Sequence, residues 1–360
     1  MRIAQVAPLI ESVPPKHYGG TERIVSYLTE ELVRAGHHVT LFASGDSVTS
    51  AELVPVCRRS FRQNKRATDY LSREVLLMDH VMQRAGEFDV IHFHTGCLHY
   101  LISRHLTVPH VTTLHGRLDT TELLHLYERF RDMPMISISN SQRTPWPCAN
   151  WQATIYHGLP KDLFRLRSEP GNYLAFLGRV SPEKRVDRAI EIAKRAGMPL
   201  KIAAKVDPAD RRYFKREIEP LLNDPHIEWV GEISDKDKDE FLGNAYALLF
   251  PIDWPEPFGL VMIESMACGT PVIAYECGSV PEVMEDGVTG FIVRDLDEAV
   301  NGVNRIRELS RLRCREVFER RFAADRMASD YVDVYKRLVG NNVERTQPDL
   351  ATPQPALVNA

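Results

Sequence analysis

The sequence predicts an α/β protein built from two doubly wound parallel sheets in series. Short apolar runs alternate with amphipathic stretches of helical period, the pattern of parallel strands joined by helical crossovers. The alternation begins at Ile3, breaks near the turn His157-Gly158-Leu159-Pro160, and restarts at Tyr173. With 360 residues, 44% hydrophobic and 26% charged, the chain has ordinary globular composition and the length of two domains.

In the first half, Ile3–Ala7 reads as a buried strand and residues 21–36 as a helix that stops at Gly36. Strands follow at Val39–Ala43, Val90–Phe93, His110–Leu114 and Met135–Ser139. In the second half, strands are expected at Tyr173–Leu177, Leu200–Ala204, Ile227–Val230, Ala247–Pro251, Pro271–Tyr275 and Gly290–Val293. Helices are expected at Val186–Ala196, Lys236–Asn244 and Leu260–Ala267, and residues 296–338 read as helical. The tail from Gly340 is too poor in apolar residues to pack and is expected to be disordered. The domain boundaries are therefore 1–158, 159–320, a final helix 321–339 and a tail 340–360.

Composition narrows the function. A net charge of −4 carries no basic excess for wholesale nucleic-acid binding. The 6 cysteines include no CxxC pair, so they frame neither a zinc site nor a disulfide scaffold, and they suit a reducing compartment. The N-terminal apolar run is too short for a signal peptide, and no stretch is long enough to span a bilayer. A cytoplasmic protein is expected. Neither G-x-G-x-x-G nor G-x-x-x-x-G-K-[ST] follows the first strand, which argues against a dinucleotide oxidoreductase or a P-loop enzyme.

The chemistry concentrates in Asp253-Trp254-Pro255-Glu256-Pro257-Phe258-Gly259-Leu260 and the helix that follows, with Glu264 one turn into it. Pro257 biases Glu256 away from helical geometry, and Gly259 permits close approach of backbone to a ligand. The first-turn N–H groups of the helix are unpaired and point back to the loop. Two carboxylates and several N–H donors thus surround one crevice beyond a strand's C-terminal end, a set suited to sugar hydroxyls. Glutamates taken at random are solvated surface charges; the proline, glycine and strand context distinguishes these two. Gly19-Gly20 opens the first helix, where backbone N–H groups and the helix dipole favour an anion, although Gly-Gly alone also suits a plain flexible loop.

These residues resemble the signature of the family 4 retaining glycosyltransferases of the GT-B fold. The element E-P-F-G-L-x-x-x-E at 256–264 is followed by Ala267-Cys268-Gly269-Thr270-Pro271-Val272-Ile273-Ala274. Gly178-Arg179 with Lys184, Gly278-Ser279-Val280-Pro281-Glu282-Val283, Asp286-Gly287-Val288-Thr289-Gly290-Phe291 and Tyr18-Gly19-Gly20 fall in the family's order, from about residue 1 to 340. The resemblance implies two Rossmann-like domains facing a central cleft, with the last helix crossing back onto the N-terminal domain. Phe322, Met327, Tyr331, Val334, Tyr335 and Leu338 supply one apolar face for that crossing.

The resemblance also implies roles. Arg179 and Lys184 would hold the diphosphate of a nucleotide-sugar, with Gly19 and Gly20 adding N–H donors from the other domain. Glu264 would clamp the ribose. Glu256 and the backbone of Phe258, Gly259 and Leu260 would hold the transferred sugar, and His115 would lie at the reacting centre in a positioning or charge-stabilising role. The catalytic set is thus His115, Glu256, Arg179 and Lys184. The implied reaction is metal-independent hexosyl transfer with retention, by front-face displacement, needing no cofactor beyond the donor, a UDP-sugar by default. The acceptor is a glycan, a lipid-linked glycan or a small molecule.

Several features stay open at this level. Ser279 stands where many members have glycine. Ala203-Ala204-Lys205 replaces a glycine-rich turn, and Glu232-Ile233 is a candidate lining of the base pocket. Arg58, Arg59, Arg62, Lys65 and Arg66 read either as a solvated loop or as a contact for a membrane surface or an anionic acceptor. Trp146 and Trp151 read either as core or as stacking platforms for an acceptor sugar, and Trp254 as a cleft residue. A GT-B epimerase or hydrolase and a non-catalytic nucleotide-sugar sensor are the alternative functions.

Overall fold

The computed structural model describes residues 1–16, 19–64 and 68–346. Tyr18, Lys65, Arg66 and the tail beyond Thr346 lie outside them. Two sheets form, both parallel throughout. The first has 7 strands in the order β3-β2-β1-β4-β5-β6-β7. They are β1 Arg2–Val6, β2 His38–Ser44, β3 Glu52–Cys57, β4 Val90–Phe93, β5 His110–Thr113, β6 Met135–Ser137 and β7 Trp151–Thr154. The second has 6 strands in the order β10-β9-β8-β11-β12-β13. They are β8 Leu174–Arg179, β9 Leu200–Lys205, β10 Ile227–Gly231, β11 Ala247–Phe250, β12 Val272–Tyr275 and β13 Gly290–Val293.

In each sheet the strand order reverses once, between β1 and β4 and between β8 and β11. Open α/β sheets bind ligands outside the strand C-termini at such a reversal, so each half carries a crevice where a site is expected. The hydrophobic pattern accounts for the sheets: in β1, β4, β11 and β12 nearly every residue is buried, as strands covered by helices on both faces require. Helix α1 (Gly20–Arg34) covers the first sheet with Ile24, Leu28 and Leu32.

Two strands go beyond the sequence reading, β3 and β7, and both are edges. Edge strands are half exposed and lack a continuous apolar run; β3 also carries Pro55, which an edge tolerates because one side needs no ladder donor. The stretch 296–338 divides into the helices Leu296–Arg305, Arg311–Arg321 and Ala324–Thr346. The last continues to Thr346, past the expected start of the tail at 340.

The chain passes between the halves twice, and the two passages run side by side. Leu159 N–H donates to Phe322 O, and Ala324 N–H to Leu159 O, each at 2.9 Å. A Cβ on Gly158 would lie 2.5 Å from the Ala323 carbonyl oxygen, so only glycine lets the passages touch. The last helix then returns to the first sheet. Met327, Tyr331, Val334 and Tyr335 are buried on it, and Tyr335 bonds Gln5 of β1 and His92 of β4. The crossover is thus present as expected.

Candidate active site

Strand C-terminal ends of both sheets line one cleft of about 490 Å³. The N-terminal wall carries Gly19, Gly20 and His115; the C-terminal wall carries Arg179, Lys184, Trp254, Glu256, Phe258, Gly259, Leu260 and Glu264. All the residues singled out for donor binding and catalysis therefore meet in one place. Ala203, Ala204, Lys205, Glu232 and Ile233 line the same cleft.

Two helix N-termini face each other across it. A Cβ on Gly20, at the start of α1, would stand 3.5 Å from the Leu260 side chain, the first residue of the helix Leu260–Ala267. Both leave unpaired N–H groups and a positive dipole end at the cleft. The second helix starts from Gly259, whose φ of 77° is left-handed and whose added Cβ would lie 2.7 Å from Met262 Cε. The loop before it is braced by the turn at 278–283. Ser279 N–H donates to Glu256 O at 2.9 Å, and Ser279 Oγ donates to Phe258 O at 2.9 Å. Gly278 has φ 59°, and a Cβ there would lie 2.3 Å from Glu256 N. The serine at 279 thus buttresses the carboxylate loop.

The charges of the C-terminal wall are paired among themselves. Lys184 contacts the Glu256 carboxylate, which also accepts from Trp254 Nε1 at 3.0 Å. Arg179 donates to Glu183 at 2.7 Å and stands 3.8 Å from Asp207 and 3.9 Å from Asp210. Arg185, next to Lys184, is the only non-glycine with positive φ among the described residues, at 55°. Its guanidinium grips Asp187 and, at 2.9 Å, Asp253, which holds this backbone in a conformation that disfavours side chains. Glu264 is buried and accepts from Lys238 Nζ at 2.8 Å. Lys238 stands 3.4 Å from Asp235, and Asp235 pairs with Arg23 of α1 on the opposite wall.

Other contacts join the halves. Glu282 accepts the N–H groups of Asn140 at 2.7 Å and Ser141 at 2.6 Å and the Tyr156 hydroxyl at 3.1 Å. Arg117 lies over the Trp254 ring, 5.4 Å from its centroid. The sequence reading missed the roles of Lys238, Asp235, Arg23 and Glu282 here. Asp235-Lys236-Asp237-Lys238-Asp239 looks like a solvated charged face in one dimension, and nothing local marks Lys238 as inward.

His115 is half-buried and uncharged: burial pulls its pKa down to about 3. His94 and His157 beside it are pushed the same way by burial. The other open residues fall on one side or the other. Trp146 and Trp151 belong to a hydrophobic cluster with Tyr127, whose ring stacks on Trp146 at 4.8 Å, and neither lines the cleft. Of the two readings, core packing is the one these contacts support, and Trp254 is the tryptophan that lines the cleft. In the basic cluster, Arg62 lines the cleft and pairs with Glu11 at 3.0 Å, whereas Arg58 and Arg59 are exposed. Among the described residues no three His, Cys, Asp or Glu side chains gather as a metal cage, and no helix is long and apolar enough to cross a membrane.

Comparison with known proteins agrees with this architecture. Residues 161–319 match the family model described as Glycosyl transferases group 1, and residues 18–152 that described as Glycosyltransferase Family 4. An uncharacterised glycosyltransferase of Methanocaldococcus jannaschii is 26% identical over 79% of this chain and 83% of its own. The alpha-maltose-1-phosphate synthase of Mycolicibacterium smegmatis is 25% identical over 93% and 99%. The crystal structure of Anabaena HepE in complex with UDP and glucose superposes with a TM-score of 0.72, at 19% identity, over 94% of this chain and 100% of that one. Fold and cleft define a glycosyltransferase of the GT-B architecture. Within that class, the chain belongs to the family 4 glycosyltransferases.

Proposed function

We propose that this enzyme transfers a hexose-type sugar, with retention, from a nucleotide-diphosphate-sugar to an acceptor hydroxyl and needs no metal to do so. The observation that carries the reading is the convergence of Arg179, Lys184, Glu256 and Glu264 with two facing helix N-termini in one cleft. Residues 159–320 would bind the donor and residues 1–158 the acceptor, with the helix at 321–339 joining them.

In this reading the diphosphate lies between Gly19, Gly20, Arg179 and Lys184. As the bond from the anomeric carbon to the phosphate oxygen breaks, negative charge grows on the phosphate. Fixed cations and helix N–H groups stabilise that charge without reorganisation. The acceptor oxygen bonds to the anomeric carbon on the same face, and its proton passes to a phosphate oxygen. Glu256, with the backbone of Phe258, Gly259 and Leu260, holds the sugar hydroxyls, and Glu264 the ribose. Lys184 exchanges its Glu256 partner for phosphate, so that carboxylate becomes free for the sugar as the donor arrives. Ala203, Ala204, Lys205, Glu232 and Ile233 would surround the base, and exposed Arg58 and Arg59 would carry any contact with an anionic membrane.

The test is thermal stabilisation by UDP-, GDP-, ADP- and dTDP-sugars in EDTA, because a ligand that binds the folded state raises Tm. One nucleotide should stabilise the wild type. Glu264→Ala should lose most of that shift, since a hydrogen bond to a charged group contributes about 1.5–3 kcal/mol. Stabilisation by none of the four, or only with Mn²⁺, would overturn the donor assignment or its metal independence.

A further inference from the structure

His115 has its proposed role at the sugar, and this inference deepens that reading. Behind it runs a chain of uncharged polar side chains. His115 Nε2 is 2.9 Å from His94 Nδ1, and His94 Nε2 is 2.7 Å from Gln5 Oε1. Gln5 Nε2 donates to the Tyr335 hydroxyl at 3.1 Å. That hydroxyl is 2.6 Å from His92 Nδ1; His92 Nε2 is 2.7 Å from Thr113 Oγ1, and Thr113 Oγ1 is 3.0 Å from the Tyr331 hydroxyl. Gln5, His92, Thr113, Tyr331 and Tyr335 are fully buried, and His94 nearly so. The chain thus links β1, β4, β5 and the last helix to the cleft.

Counting protons along it fixes its polarity. The Gln5 amide gives its N–H to Tyr335, so its carbonyl faces His94 and accepts from His94 Nε2–H. A neutral imidazole has one N–H, so His94 Nδ1 is a bare acceptor. His115 must then donate from Nε2, which leaves its Nδ1 without a proton. Turning the amide over would reverse every bond and put a proton on His115 Nδ1. That atom is buried with no partner among the described residues, and an orphaned buried N–H is rarer in proteins than an unpaired acceptor. Both arguments select the same direction.

We infer that His94, oriented by Gln5 and through it by Tyr335 of the crossover helix, is the positioning residue that holds His115 as the neutral Nε2–H tautomer. Neutrality matters because positive charge develops on the sugar ring as the glycosidic bond breaks. An imidazolium at that place would oppose the reaction. A relay with no carboxylate among its linked side chains offers a second proton no stabilisation. It also makes the last helix part of the site's support.

The experiment is ¹⁵N-histidine NMR of the full-length free protein, with turnover of the nucleotide-sugar that raises Tm as second readout. Wild type should show His94 and His115 each as a single Nε2–H tautomer from about pH 6 to 8. His94→Leu should give mixed tautomers at His115 and lower kcat on the order of 10- to 100-fold with KM little changed, as misplacement of a reacting-centre group does. His94→Gln, which keeps an acceptor for the His115 N–H, should restore part of both. Mixed or Nδ1–H tautomers at His115 in wild type, or unmoved His115 signals in His94→Leu, would overturn the inference. If His94→Leu fails to fold, Tyr335→Phe deletes a single hydroxyl; it must shift the His94 signals through Gln5, and unshifted signals count against the relay. Should the wild type turn over no nucleotide-sugar, the functional reading fails, and the spectra still decide the relay.

Discussion

The C-terminal wall of the cleft is built from charged side chains that neutralise one another, whereas the part of the N-terminal wall behind His115 is built from uncharged side chains in hydrogen-bonded sequence. On the first, Lys184 meets Glu256, Arg179 meets Glu183, and Lys238 meets Glu264. On the second, His115, His94 and Gln5 pass one hydrogen bond to the next without a formal charge. Ionic and neutral networks differ in what they can do. An ion pair that opens onto the cleft can trade its partner for a ligand group of the same charge, so that no buried charge is left unpaired. A buried neutral chain exchanges nothing without leaving a polar group unsatisfied, so it is suited to fixing geometry. In the proposed function the charged side chains would bind the donor and the neutral chain would orient His115.

That contrast breaks most visibly at Lys184. Lys184→Ala should lower kcat/KM on the order of 10²- to 10³-fold, the cost of removing one preorganised group that stabilises charge in a transition state. Steady-state assays with the stabilising nucleotide-sugar measure it, and a loss below threefold would remove Lys184 from the phosphate site.

The neutral wall predicts how stability depends on pH. Burial pulls the pKa values of His92, His94, His115 and His157 down, so these rings stay uncharged in the fold while the unfolded chain takes up protons below about pH 6.5. The unfolded state then binds more protons than the native one, and stability falls as pH drops. Each ring contributes up to about 1.4 kcal/mol per pH unit in that range. Denaturant midpoints that stay level between about pH 7 and 5.5 would show these histidines to be accessible to protons.

A smaller effect sharpens the account of the charged wall. Gly278→Ala places a Cβ 2.3 Å from Glu256 N, at a left-handed φ. A loss of about 1–3 kcal/mol is expected, with weaker donor binding because the Glu256 loop moves. Calorimetry and donor titration measure the two parts, and loss of stability without weaker binding would separate this turn from the site. The smallest effect is expected at Trp151, outside both walls. Trp151→Phe should cost less than about 1.5 kcal/mol and leave KM for any acceptor unchanged. A raised acceptor KM would restore it as a stacking platform.

Legibility in the sequence followed how local each feature is. Strands β4 and β13 and the helices Val186–Ala196 and Leu260–Ala267 fall at the residues their patterns indicate, because a buried strand or an amphipathic helix declares itself within a few residues. The Glu256–Glu264 segment was legible for the same reason: its proline, glycine and helix start are contiguous. β3 and β7 were not, since an edge strand need bury only part of its surface. Trp146 and Trp151 left two readings open, because an aromatic looks alike in a core and on a binding platform until its neighbours are known.

The order of residues along the chain specifies the two alternations of strand and helix, the loop that carries Glu256, the glycines at its turns, and membership in a family with a recognisable order of motifs. All of these depend on residues close along the chain. It takes the folded arrangement to show that Lys184 pairs with Glu256, that Lys238 rather than solvent meets Glu264, and that Gln5 and Tyr335, 330 residues apart, stand behind His115. Hydrophobic periodicity states which face of an element is buried; which polar groups then share that burial depends on the order of strands in the sheet and on the return of the last helix.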